Sequence, residues 1–281
     1  MLFENKFSKK LIEFCNLRGT MRYLNILFLL FTSSIFSQNP IDVKLIQKTD
    51  FSADTLVGVN NLNNIFYILD NVLFKKSDET KALDIGYTNF QLGNITSANA
   101  FNTLKINIFY KDFNTAIILD NRLSEIFRIE FNNIPPYKNV THISTGNDNT
   151  IWIFDQNTQQ LELYDYKNKS TKSKTLPIES AILDIKSNYN TCWLLTKDFI
   201  YIYNYFGSLT KKIPNTNFEQ LQISNENIIL KKGNELFYLA KDSETIKPIK
   251  STNLIIKQFF VTGESLYIYS DKSLFEYQIK I

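Results

Sequence analysis

From residue 38 onward the chain repeats one kind of unit, and that repetition limits its fold more than any other feature. Short runs rich in Ile, Leu, Phe, Tyr and Trp recur, each bounded by Asn, Asp, Ser or Lys. The clearest are 65–69 (IFYIL), 115–119 (TAIIL), 151–154 (IWIF), 192–195 (CWLL), 227–230 (NIIL) and 266–269 (LYIY). β-Branched and aromatic residues flanked by turn formers are the signature of strands. A second run follows each, at 72–74, 125–129, 161–164, 199–203, 235–239 and 273–277. Short apolar–polar alternations such as 142–144, 184–186 and 222–224 precede several of them. Taking Phe66, Ile117, Trp152, Trp193, Ile229 and Tyr267 as equivalent gives intervals of 51, 35, 41, 36 and 38 residues. A small sheet of this composition is apolar on both faces, so it needs a neighbour on each side.

Repetition at about 40 residues with several strands per unit is the spacing of propeller blades. The expectation is an all-β chain forming a β-propeller of six blades. Seven fit if the 51-residue interval and residues 41–51 supply an extra blade. Residues 41–51 are alternatively placed to complete the last blade by pairing with 274–281, which would close the ring and protect its edges. A β-sandwich also has short strands but no reason to repeat three-strand units at this interval. Glycine is scarce, at 8 residues, so Asn must supply many turns; it tolerates the left-handed backbone region and caps its own turn. Pro135 and Pro136 read as a stiff connector between the second and third units.

Residues 21–38 (MRYLNILFLLFTSSIFSQ) have the layout of a cleaved secretory signal, with Arg22 as the positive flank, a short apolar run and Ser37 at the cut. The apolar run is shorter than the roughly 20 residues that span a bilayer. The expected division is therefore an upstream extension over 1–20, a signal peptide over 21–37 and a β-propeller domain over 38–281. Removing the leader's five basic and two acidic residues from 31 and 28 leaves 26 of each, a formally neutral product. Such a balance argues against nucleic acid as a partner, because polyphosphate binding needs surplus Lys and Arg. Cys192 then stands alone and reads as a small buried apolar residue. The product is expected to be exported, periplasmic or associated with the outer membrane, and without a membrane span after cleavage.

The inventory for catalysis is poor. His142 is the only histidine, and no nucleophile elbow, Gly-rich phosphate loop or metal-ligand spacing appears. No catalytic residue, metal or cofactor is assigned. Aspartates such as Asp155, Asp165, Asp184 and Asp198 fall near unit turns and read as turn caps. Alternation on the innermost strand of each blade places His142, Ser144, Asp184, Lys186, Gln222 and Ser224 as candidate channel-lining residues. The aromatic run containing Tyr201, Tyr203, Tyr205 and Phe206 is the candidate interface, since aromatic residues are favoured at interface centres.

The unit 149–167 (NTIWIFDQNTQQLELYDYK) resembles blades in exported propellers of Bacteroidota. It departs from the I-W-I-G-T form found in their sensor regions, with Phe154 and Asp155 in place of Gly-Thr. Residues 119–130 (LDNRLSEIFRIE), followed by the Trp152 unit, resemble the small secreted propellers of the same bacteria. Some small periplasmic proteins there work with the type IX secretion translocon. The resemblance carries over no functional residue. Because a rigid disc with loops on two faces suits docking and the catalytic inventory is poor, the leading expectation is a non-enzymatic scaffold that binds another envelope protein, such as part of an outer-membrane complex. The competing expectation is a carbohydrate-active or glycan-binding propeller using paired carboxylates and aromatics at the channel mouth.

Overall fold

Alternation along the strand Thr150–Asp155 shows how the sequence makes a ring. Ile151 and Ile153 enter one buried cluster, while Trp152 and Phe154 enter another on the opposite side of the same sheet. Both faces of this sheet are therefore core. The computed structural model describes residues 40–60, 62–76 and 84–280. The expected extension over 1–20, the signal over 21–37 and its cleavage point lie outside the described residues.

Strand β1 (Val43–Asp50) comes first in the chain but last in the ring. Blade one is β2 (Thr55–Val59), β3 (Ile65–Leu69), β4 (Val72–Lys76) and β5 (Ile85–Tyr87). Blade two is β6 (Ser97–Asn99), β7 (Ile106–Tyr110), β8 (Thr115–Leu119) and β9 (Glu125–Glu130). Blade three is β10 (Val140–Thr145), β11 (Thr150–Asp155), β12 (Gln160–Asp165) and β13 (Ser170–Lys174). Blade four is β14 (Ile182–Ser187), β15 (Thr191–Thr196), β16 (Phe199–Asn204) and β17 (Leu209–Pro214). Blade five is β18 (Gln220–Ser224), β19 (Asn227–Lys232), β20 (Glu235–Leu239) and β21 (Ile246–Pro248). Blade six is β22 (Gln258–Thr262), β23 (Ser265–Ser270) and β24 (Ser273–Ile279), with β1 as its outer strand.

The result is a six-bladed β-propeller of four-stranded antiparallel sheets. Ring closure follows the expectation, because β1 pairs antiparallel with β24 from Val43 opposite Ile279 to Asp50 opposite Ser273. Six buried clusters occupy the six seams between blades. Trp152 and Leu163 of blade three meet Leu194 and Tyr203 of blade four, for example, and Tyr267 of blade six meets Leu56 and Tyr67 of blade one. Burying one such large apolar side chain contributes about 1.5–3 kcal/mol. A blade without its neighbours would leave two rows of them in water.

One alignment needed correction. Ile117 lies on β8, the third strand of blade two, whereas Phe66, Trp152, Trp193, Ile229 and Tyr267 lie on second strands. The matching residue is Ile108 on β7, and the first two intervals become 42 and 44. β7 and β8 are both buried along their whole length, so apolar runs alone cannot tell one from the other. The apparent room for a seventh blade was this one-strand shift.

Turns follow the scarcity of glycine. Asp70-Asn71, Asn225-Glu226 and Asp271-Lys272 each hold two consecutive positive φ angles between paired strands. Two-residue hairpins need that backbone to match the strand twist. Gly58 is different. It follows a register shift in β2, and a Cβ there would sit 3.0 Å from the Phe260 ring of blade six.

Candidate functional site

The first strands of adjacent blades abut around the axis, with β10 beside β14, β14 beside β18, β18 beside β22 and β22 beside β2. The turns after these strands therefore gather at one end of the channel, where they enclose a cavity of about 580 Å³. Blades one, two, four, five and six all line it, through residues such as Asn60, Asn99, Asn188, Gln222 and Gly263. No residue of blade three does.

Blade three is missing from the lining because blade two covers it. Residues 100–105, the first turn of blade two, form a strap. The Asn99 side chain accepts from Phe101 N at 2.9 Å, and Asn102 accepts from Leu104 N at 3.0 Å, which fix its shape. Lys105 Nζ donates to the Asp148 carbonyl in the first turn of blade three. Farther along, Phe101 meets Tyr189 of blade four edge-on, with ring centroids 5.3 Å apart at 66°.

Beneath the strap lies a closed polar circuit. Asn107 Nδ2 donates to Thr145 Oγ1 at 2.9 Å, and Thr145 Oγ1 donates to Asn99 Oδ1 at 3.2 Å. Asn99 Nδ2 donates to Ser144 Oγ at 3.4 Å, and Ser144 Oγ lies 2.7 Å from Ser187 Oγ. Ser187 also bonds the Thr145 carbonyl. Each hydroxyl has one proton, so giving Ser187's proton to that carbonyl makes Ser144 the donor to Ser187 and leaves every hydroxyl satisfied. Side chains of blades two, three and four are thus stitched together at low dielectric, where such networks hold firmly.

Of the candidate channel residues, Lys186, Gln222 and Ser224 line the cavity. Ser144 is fully buried in the circuit below it. His142 and Asp184 lie outside the lining, each just after a register shift in its strand. Asp184 instead accepts from Leu221 N of blade five at 3.0 Å and pairs with Lys186 at 3.1 Å, so it clips two blades together. Burial pushes the His142 pKa below its ordinary value; Asp184 opposes this, and Lys111 and Lys186 add to it. Its Nδ1 lies 3.0 Å from Thr141 Oγ1.

The candidate interface divides. Tyr205 and Phe206 sit exposed on the third turn of blade four with ring centroids 3.9 Å apart. Tyr203 corrects the expectation, for it is 5% exposed and packs in the seam with Trp152 and Cys192. Tyr201 is half-buried against the same cluster. Strand alternation sends Tyr201 and Tyr203 to one side of the sheet and into the seam, while the turn that follows faces solvent. Burial also pushes the Cys192 thiol pKa well above its ordinary value.

Sequence reasoning missed the exposed apolar residues at the mouth and beside it. Leu62 and Phe101 line it, Tyr189 packs on Phe101, and Leu104 lies on the same strap. Leu62 is 77% exposed, Leu104 64%, Phe101 52% and Tyr189 43%. Their visible signal was large apolar residues inside Asn-rich turns, where a packing role has no strand to support it. The two charges at the mouth are already paired, Lys186 with Asp184 and Glu226 with Lys241. Among the described residues, Glu226 is the only carboxylate lining the mouth, so they offer no carboxylate pair of the kind glycoside hydrolysis uses. Among the described residues, no three His, Cys, Asp or Glu side chains gather as a metal-binding group, and no helix is long and apolar enough to cross a membrane.

No protein-family model matches the chain, and no curated protein matches it. Solved structures match in fold. Virginiamycin B lyase from Staphylococcus aureus, solved as a catalytically inactive variant with quinupristin, has a TM-score of 0.57 at 12% identity, over 88% of this chain and 97% of that one. A chain of the mitotic checkpoint complex gives 0.56 at 10% identity, over 88% and 94%. PorZ, a surface component of the type-IX secretion system of Porphyromonas gingivalis, gives 0.51 at 13% identity. That match covers 82% of this chain and 32% of PorZ. The likeness is one of fold. The matching propellers include an enzyme and components of protein assemblies, so the shape alone does not choose between those roles.

Proposed function

We propose that this chain is an exported, non-enzymatic propeller that docks another protein of the cell envelope, as an accessory of an outer-membrane secretion complex. One observation carries the docking role. Leu62, Phe101, Leu104 and Tyr189 stand exposed on first turns around the mouth, and Tyr205 and Phe206 belong to the same face through the third turn of blade four. Scattered exposed apolar residues are ordinary, but a group around a cavity marks an interaction site. The chemistry of the mouth supports a binding role over catalysis, because its one carboxylate is paired and His142 lies outside it. The leader-like residues 21–38 support export, and the fold shared with PorZ is consistent with an envelope setting.

The test is capture from envelope extracts by the tagged protein and by its Phe101→Ser/Leu104→Ser variant. The expected result is a protein held by the parent and released by the variant, with circular dichroism and Tm unchanged. Recovery of a free monomer in gentle detergent, or capture indifferent to the rim, contradicts the docking role. Fractionation and N-terminal sequencing of the mature protein test export.

A further inference from the structure

The mouth is selective in a way that names the chemistry of its occupant. Its cavity, about 580 Å³, falls in the range of sites that enclose a ligand or a few residues of a partner. Its walls mix apolar side chains such as Val57, Ala98, Ile223 and Phe260 with amides and hydroxyls such as Asn60, Asn188, Gln222 and Ser224. Asn60 Oδ1 accepts from Leu62 N and Asn64 N, and Asn188 Oδ1 accepts from Asn190 N and Thr191 N. Because these carbonyl ends are committed to their own turns, the amide nitrogens remain as donors toward a guest. Lys186 and Glu226 already have partners, so an ion entering here would lose hydration without meeting an unpaired opposite charge.

The geometry points to an extended, uncharged peptide segment of the docked protein, and we propose that it inserts here. This rests on the docking reading above. One apolar side chain of the segment fills the space between Leu62 on blade one and the Phe101–Tyr189 pair, and its main-chain carbonyls meet the amide donors of Asn60 and Asn188. A peptide is the guest that carries acceptors at every residue with apolar groups between them. A glycan fits less well. The two aromatic rings meet edge-on, and the other exposed large apolar side chain lining the mouth, Leu62, is branched aliphatic, so the described residues build no flat platform for a sugar face there. Nucleic acid fits least, since Lys186 is the only basic residue among the described residues of the lining.

The strap makes the proposal testable, because Ala100, Phe101 and Thr103 all line the mouth from one loop. Three hexapeptides, acetylated and amidated, are titrated into the ¹⁵N-labelled protein: one of Asn and Ser with a central Leu, and two with that Leu replaced by Asp or by Lys. A neutral β-linked hexasaccharide is the fourth probe. The Leu peptide is expected to give saturable shifts at residues 99–105 and 187–190 in the millimolar range or tighter. Its affinity should fall about tenfold in Leu62→Ser, a side chain exposed enough that its loss leaves folding intact. Tighter binding of either charged peptide, tighter binding of the hexasaccharide, or no shift at the mouth with any probe overturns the proposal. Failure here is separable from failure of docking. A protein captured by the parent and lost by the rim variant, with no peptide bound, removes only the inserted segment.

Discussion

Blades two to four and blades five, six and one are made from the same unit, yet they meet the channel differently. In the first arc, Asn99, Asn107, Ser144, Thr145 and Ser187 close a hydrogen-bonded circuit, and a strap from blade two lies over blade three. In the second arc the first turns of blades five and six are only two residues long, and Ser224 Oγ links those blades by donating to the Gly263 carbonyl at 3.2 Å. The buried ion pair also belongs to the first arc. Lys138, in the connector before blade three, donates to Glu162 at 2.7 Å, both nearly inaccessible, and Thr171 donates to the same oxygen at 2.7 Å. Seam packing fixes the ring, while a few polar residues and one longer turn decide where it opens.

The largest expected losses should not distinguish the arcs. Trp152→Ala in the first and Ile268→Ala in the second both remove fully buried seam side chains. Urea unfolding should show a cost of about 3–5 kcal/mol for the tryptophan and about 2–5 for the isoleucine. A loss confined to one arc would mean the seams are not equivalent.

Lys138→Met comes next and should set the first arc apart. Among the described residues, removing the buried partner leaves Glu162 only the half-exposed Lys174 as a cation, 3.2 Å from its other oxygen, so the cost should be about 3 kcal/mol, the low end for a broken buried pair. Burial alone would raise the Glu162 pKa, but hydrogen bonds from Lys138 and Thr171 and the Lys138 charge overcome it and hold it below the usual carboxylate value. A depressed folded pKa gives stability that is present above the unfolded value of about 4.3 and lost as pH falls through the folded one. The deficit of Lys138→Met, measured by unfolding from pH 7 down to 3, should therefore shrink as Glu162 is protonated. A deficit independent of pH would contradict the charge argument.

Smaller substitutions sharpen the contrast. A Cβ on Gly146, in the covered first turn of blade three, would lie 2.6 Å from the Thr150 carbonyl oxygen. Gly146→Ala should cost about 1–3 kcal/mol through forced backbone movement. Gly263→Ala, in the second arc, meets no atom within 4 Å and carries only the strain of its positive φ of 55°, about 1–2 kcal/mol. Ser187→Ala strands two buried partners and should cost about 1–3 kcal/mol. Ser224→Ala, beside the open cavity where water replaces the bond, should stay within about 0.5 kcal/mol. Thermal denaturation of the four variants ranks them; equal losses at Ser187 and Ser224 would erase the distinction between the arcs.

How far the chain could be read in advance follows the same division. Alternation such as Ile151, Trp152, Ile153 and Phe154 announces a sheet buried on both faces, and repetition announces a ring. Closure by residues 41–51 was legible because a terminal strand with no partner nearby must find one. Blade two was misaligned because 106–110 and 115–119 are equally apolar, and only pairing separates second strand from third. Tyr203 looked like its neighbours Tyr205 and Phe206 until strand and turn were told apart. The mouth was illegible for a different reason. That Phe101 of blade two would reach Tyr189 of blade four depends on a six-residue turn passing over blade three, which no local pattern encodes.

Amide hydrogen exchange tests the contrast between the arcs most directly, because it reads local opening residue by residue. Strand amides within residues 143–145, 150–152, 185–187 and 191–193, flanking the first turns of blades three and four, should exchange only through global unfolding, held by the circuit and its strap. Those within 222–229 and 260–267, at the equivalent turns of blades five and six, should exchange through local opening and respond little to denaturant. Uniform protection around the ring, or faster exchange beneath the strap than at the open turns, would contradict the account.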